Sequence, residues 1–171
     1  MSAAAEITGF VPDAGNTRLL RDAFGRFTTG VTIVTVAGEE GPVAITANSF
    51  SSLSLDPPLV LWSPDKGSRR FRHFAHATHY AIHVLAADQA ELCFGVSKDA
   101  WKLGEHDLET NGAGVPVIAG ALARFDCTRE ATHDGGDHVI VVGRVDRAEL
   151  RDGAPLVFYA GKPARLAQDD T

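Results

Sequence analysis

The sequence predicts a mainly β chain, with six or more antiparallel strands forming a small barrel and a few short helices packed outside it. Three observations carry this expectation. Short β-branched runs such as "VTIVTV" (31–36) recur between Gly, Pro and Asp turns. "HDGGDH" (133–138) joins two long β runs through residues suited to a tight hairpin. The regular strand–helix alternation of a parallel sheet is absent from the pattern.

Residues 1–16 are expected to form a flexible, loosely held arm. In 18–27, Leu19, Leu20, Ala23, Phe24 and Phe27 recur at helical intervals, which predicts a short amphipathic helix. A strand follows at 31–36, then "GEEG" (38–41) as a turn, then a second strand at 43–50. On that second strand Thr46, Asn48 and Phe50 would face one way, and Ala47, Ser49 and Ser51 the other. Pro57-Pro58 breaks the chain before a third strand at 59–62. "SPDKGSRRF" leads as a loop into a helix near 69–77, and 80–85 is a fourth strand. Asp88 opens a helix, with Glu91 three residues on to complete a capping arrangement. The long β runs are 121–133 and 138–150. A strand at 156–159 closes a domain spanning 17–166, with 167–171 as a short tail.

With 171 residues, 44% apolar and 22% charged, the chain reads as one ordinary globular domain. A net charge of −6 argues against nucleic acid as a partner. The local cluster Lys66, Arg69, Arg70 and Arg72 is the exception, and it suits one small anion. No apolar run approaches the roughly 18–20 residues that span a bilayer, so no membrane role is expected. The first residues lack a basic stretch followed by an apolar one, and a cytoplasmic location is expected. Cys93 and Cys127 fit no CxxC pattern and are expected to be free, buried thiols without a neighbouring base.

Seven histidines raise the question of a metal. His73, His76, His79 and His83 drift across helix faces instead of converging, and His83 falls in a strand. Surface and helix-end positions account for them better, and no metal site is expected.

The stretch "ITANSFSSLSLDPPLVLW" (45–62) lines its middle with Thr46, Asn48, Ser49, Ser51, Ser52 and Ser54. Small polar side chains let a flat ring approach the backbone while leaving donors available. A solvated strand edge would use the same residues, and local chemistry leaves both readings open. The run 46–60 resembles the flavin-binding signature of the short-chain flavin reductase family, the reductase components of two-component flavin-dependent monooxygenases. "FGRFTTGVTIVT" (24–35), "ADQAEL" (87–92), "GVPVIAGALARFDC" (114–127) and "HDGGDHVIVVGRV" (133–145) resemble that family in the same order. Together they cover about residues 18–162.

The resemblance implies a split β-barrel of antiparallel, Greek-key strands. It also implies a homodimer, FMN or FAD bound near the subunit boundary, and NADH or NADPH as co-substrate. Carried over by position, it sets Thr46, Ala47, Asn48 and Ser49 along the isoalloxazine edge. Ser51, Ser52 and Leu53 would lie towards the ribityl chain and phosphate, and Gly30, Val31 and Thr32 near the ring. Lys66, Ser68 and Arg69 resemble a phosphate-gripping turn, whose cations, hydroxyl and amides suit that anion. Gly136-Asp137-His138 resembles the hairpin that the nicotinamide cofactor approaches, which implies NAD(P)H binding by Asp137 and His138.

The implied reaction is hydride transfer from NAD(P)H to flavin N5, with reduced flavin passed to a partner oxygenase. No catalytic acid or base is assigned. Two alternatives stand on the same barrel: a non-catalytic FMN-binding protein, and a pyridoxamine-oxidase-like flavoprotein that consumes an amine. The Gly-Asp-His hairpin favours the reductase. The chain departs from the family pattern at Pro163, at Trp101 and Lys102, and at Trp62-Ser63.

Overall fold

The computed structural model describes residues 7–100, 103 and 108–166, so Trp101 and Lys102 lie outside the described residues. Helix α1 (Thr17–Phe24) stops three residues short of its predicted end. The backbone tightens there, with Arg26 N–H donating to Ala23 O and Phe27 N–H to Phe24 O. No α1 residue is buried, and Leu19, Phe24 and Phe27 remain exposed.

Strands β1 (Thr29–Gly30), β2 (Thr32–Gly38) and β3 (Gly41–Ala47) follow. β2 reads as an unbroken apolar run because both of its faces are covered. Val34 and Val36 join Trp62, Phe74, Tyr80 and Ile82 in one core cluster. Ile33 joins Val31, Leu85, Val96 and Leu103 in another.

The predicted strand at 43–50 ends at Ala47, and the residues after it form a separate strand, β4 (Ser51–Leu55). The alternation expected across 46–51 therefore fails at Asn48–Phe50, which leave the ladder. The cause is a contact 14 residues on: the Ser49 hydroxyl donates to Ser63 O at 3.1 Å and accepts from Ser63 N–H at 3.0 Å. β4 then pairs with β5 (Pro58–Trp62), so Pro57-Pro58 turns a hairpin instead of merely stopping a strand.

Helix α2 (Phe71–His76) and strand β6 (His79–Val84) come next. A 3-10 turn (Ala87–Gln89) precedes α3 (Ala90–Lys98), and Gln89 supplies the cap by accepting Ala86 N–H at 3.0 Å. The expected Asp88–Glu91 pairing is not the one used. β7 (Glu109–Thr110) and β8 (Pro116–Val117) form a short ladder before the long hairpin of β9 (Ala123–Gly135) and β10 (His138–Leu150). The chain ends on β11 (Val157–Tyr159) and β12 (Lys162–Ala164). β12 went unanticipated because Pro163 argues against a strand; it sits at a sheet edge, where proline is tolerated.

The main sheet is antiparallel, with order β3-β2-β6-β9-β10-β5-β4. Laid flat, seven strands would put β3 and β4 about 29 Å apart. Yet only residues 48–50 separate Ala47 from Ser51, a reach of about 14 Å. The sheet must therefore curl until its two edges approach. Among the described residues no ladder joins β3 to β4, so the curl stays open.

Two interior features mark how tightly the curl packs. Gly143 lies in mid-β10, where an added Cβ would fall 1.8 Å from the Tyr80 hydroxyl. Burial pushes the Tyr80 phenol well above its usual pKa, so it stays neutral there. His83 lies on a strand as expected, and on β6 it is fully buried. Ile118 N–H can only donate, so Nε2 of His83 accepts it at 3.1 Å, and Nδ1–H donates to Ile33 O at 3.1 Å. Both ring nitrogens are thereby used within the core. Cys93 and Cys127 are free and buried, and burial pushes the Cys127 thiol up to about 12.

Two outcomes follow. Gly143→Ala is expected to lower stability by about 3 kcal/mol or more through overpacking, read as a drop in denaturant midpoint. Burial holds His83 neutral by pushing its pKa from 6.5 down to about 4. An unfolded chain takes up the proton below its ordinary pKa and the native state does not. The contribution is therefore complete above pH 6.5 and lost as pH falls towards 4. Its full size is about 3 kcal/mol. Urea unfolding across this range should show a steeper acid-side loss in the native protein than in His83→Gln, and equal slopes would refute it.

Candidate functional site

The site is assembled from the ends of β3 and β5 and the tip of the β9–β10 hairpin. Thr32, on β2, donates from Oγ1 to Ala47 O at 2.7 Å, which fixes the last residue of β3 before the chain departs. Thr46 Oγ1 donates to Cys93 O at 3.1 Å and ties the same strand end to α3. Val31 is buried in the second core cluster. Both Val31 and Thr32 thus back the strand from inside.

Beyond Ala47 the side chains divide by function. Ser49 is spent on Ser63, and Phe50 stacks on Phe125 of β9 with centroids 5.6 Å apart. These two contacts pin the link between the sheet edges. Asn48 is exposed, and its amide has no partner among the described residues. Ser51, Ser52 and Leu53 are exposed along β4, where the Ser51 hydroxyl donates to Ser52 O at 3.0 Å.

β5 runs on through Ser63 and Pro64 into the 65–69 turn. Asp65 accepts Gly67 N–H at 2.7 Å, and Ser68 Oγ accepts Arg70 N–H at 3.2 Å, so the turn is shaped by its own side chains. Arg69 is exposed, and its guanidinium has no acceptor among the described residues. Arg70 is partly buried and donates to Ser97 O at 3.1 Å, and desolvation lowers its pKa. Arg69, Arg70, Arg72, Lys98, Asp99 and Ala100 line a cleft of about 540 Å³. Four cations around it, opposed by one carboxylate, favour an anion.

Lys66 is engaged elsewhere. Its ammonium pairs with the Asp134 carboxylate and donates to Gly136 O at 2.6 Å, and its backbone N–H donates to Asp137 O at 2.9 Å. The turn assigned to flavin phosphate and the hairpin assigned to nicotinamide are therefore in direct contact. At the hairpin tip, His138 Nδ1–H donates to Asp137 Oδ1 at 2.7 Å. That bond holds the Asp137 carboxyl below its usual range, and Arg21 of α1 adds to the effect.

Sequence reasoning missed Asp134 and Arg21. The "HDGGDH" string shows Asp134 as a turn former, and its pairing with a lysine 68 residues away leaves no local trace. Trp62-Ser63, where the chain departs from the family pattern, serve the fold: Trp62 is buried against Phe74, and Ser63 holds Ser49.

These residues fit a flavin nucleotide. An unspent amide sits beside small side chains, and an unspent guanidinium lies on a hydroxyl-bearing turn. The polar edge and the anionic end of the ligand would each find a donor.

Residues 24–167 match the family described as flavin reductase like domain. The chain is 54% identical over 159 residues to the FMN reductase (NADH) SmoA of Agrobacterium fabrum, covering 93% of this chain and 91% of that protein. It is 39% identical to HsaB, the reductase subunit of a flavin-dependent monooxygenase from Rhodococcus jostii, covering 98% and 88%. Among solved structures, the NADH:FAD oxidoreductase SgcE6 of Streptomyces globisporus aligns with a TM-score of 0.87 at 34% identity, covering 98% of this chain and 97% of that one. SgcE6 has also been solved in complex with NAD and FAD fragments. Sequence, fold and donor set agree, and the chain belongs to the flavin reductase like family.

Proposed function

We propose that this chain reduces flavin, FMN or FAD, with NADH as hydride donor, and supplies the reduced flavin to a separate oxygenase component. The observation that carries the reading is the pair of unspent donors, Asn48 and Arg69, next to a turn that is hydrogen-bonded to the Asp137–His138 hairpin. The relatives named as NADH-dependent flavin reductases and monooxygenase reductase subunits support both the donor and the partner class.

When bound, flavin supplies the N5 position that accepts the hydride. The protein's share is placement, because stacking two rings in line requires neither an acid nor a base. Asn48 donates to the polar edge of the ring, and small residues at Ala47, Ser51 and Ser52 leave room for its plane. Ser68 and Arg69 meet the phosphate. His138, held by Asp137, lines the approach of the nicotinamide. A cation and neutral donors around the site favour the negative charge that reduction adds.

The curled sheet is a split barrel, and two copies associate across it. Leu53 and Leu55 of β4, with Leu19, Phe24 and Phe27 near α1, give each copy exposed apolar surface for that contact. The two buried free thiols suit a reducing cytoplasm.

Adding NADH anaerobically to the protein with FMN should bleach the visible flavin absorbance in repeated turnovers. Flavin that binds and stays oxidised would make this a storage protein instead. Asn48→Leu should weaken FMN binding about tenfold by fluorescence titration while the melting temperature stays put, since Asn48 is exposed.

A further inference from the structure

We propose that Lys66 is a positioning residue, a latch that fixes the 134–138 hairpin to the 63–69 turn and so sets where His138 meets the nicotinamide. The inference rests on the reading of Asp137 and His138 as the nicotinamide end of the site.

The latch has backbone and side-chain parts. Lys66 N–H donates to Asp137 O at 2.9 Å, Val139 N–H donates to Pro64 O at 3.1 Å, and Asp65 bridges to His138 in antiparallel fashion. The start of the turn thus prolongs the β5–β10 ladder towards the hairpin tip. The side chain then closes over the tip: the ammonium meets the Asp134 carboxylate on one side and the Gly136 carbonyl, at 2.6 Å, on the other. An ammonium has three protons, and two are taken. Asp134 is held below the usual carboxylate range by this contact.

A hairpin tip built on Gly135-Gly136 has little conformational preference of its own, and Gly136 sits at φ +76. Backbone bonds hold the base of the tip at Asp137 and Val139, but among the described residues the Lys66 side chain is what grips its Asp134–Gly136 side. Lys66 supplies that restraint from a segment that also carries Ser68 and Arg69, so the two halves of the site share one frame. The Lys66 and Asp134 side chains are 35% and 82% exposed. A pair that open adds little to global stability, so its effect falls on placement.

The test uses Lys66→Met, Asp134→Asn, the double variant and Lys66→Arg in the full chain. Lys66→Met should raise the NADH KM about fivefold to tenfold with kcat within about twofold, and Asp134→Asn should do the same. The double variant should be no worse than Lys66→Met alone, because the lysine change already removes the contacts to both Asp134 and Gly136. Lys66→Arg, which keeps a donor for Asp134, should stay within about twofold of the parent. Independently of turnover, the Val139 amide should exchange about tenfold faster in Lys66→Met, with FMN affinity unchanged. Loss of FMN affinity with unchanged NADH KM would instead make Lys66 a phosphate ligand and overturn the latch. Additive effects in the double variant would overturn it too. An unchanged NADH KM in His138→Ala would remove the underlying reading itself.

Discussion

Everything in this fold depends on a three-residue link between the two edges of one sheet. Residues 48–50 must carry the chain from the end of β3 to the start of β4, although those strands stand at opposite ends of a seven-strand order. A link that short admits only a sheet that curls back on itself. Curling then leaves the link to be stabilised, because its backbone belongs to neither ladder. Ser49 answers by exchanging two hydrogen bonds with the Ser63 backbone, and Phe50 by stacking on Phe125. With those two side chains spent on structure, Asn48 is the residue left unspent. The proposed binding position is thus the remainder of a closure problem.

The same curl explains the unusual polar content of the interior. The middles of strands β2 and β6 are covered on both faces, so Thr32, Thr35 and His83 have no route to water. Thr35 donates to Pro116 O at 2.6 Å, and His83 spans Ile33 and Ile118. The Thr35–Pro116 and His83–Ile118 bonds join segments that the main ladders do not pair, and both side chains satisfy backbone groups that burial would otherwise penalise. The cost of burying them is offset by fixing the β8 region against the central strands. A bulky core fills the other side, where Trp62, Phe74 and Tyr80 meet at ring distances of 5.5 and 6.0 Å.

How much of this could be read from the sequence depends on the range of the interaction. β2, β6, β9 and β10 were legible because β-branched runs and the Gly-Gly hairpin are local signals. The break at Ser49 was not, because the partner that ends β3 lies 14 residues on and is a backbone group. The strand that carries His83 is legible, but its burial is not, because only the pairing of β6 with both β2 and β9 covers it. Cofactor-binding positions followed from resemblance, not local chemistry, which had left a solvated strand edge equally open. The contact between the 65–69 turn and the 134–138 hairpin was invisible for a related reason: its residues sit in two strings that each make sense alone as turns.

The titratable groups divide in a way that matches the chemistry. Tyr80, His83, Cys93 and Cys127 are buried, and burial moves each towards its neutral form. None is free to trade protons with a ligand at neutral pH, so the core contributes rigidity and no acid or base. Asp126 is buried but paired with Arg124 at 3.2 Å, while Lys66, Asp134 and Asp137 lie outside and orient the two adjoining turns. A hydride needs two rings held in register and little else. A chain whose buried phenol, imidazole and thiols stay neutral is built for holding, and the reaction it supports is one that holding suffices to promote.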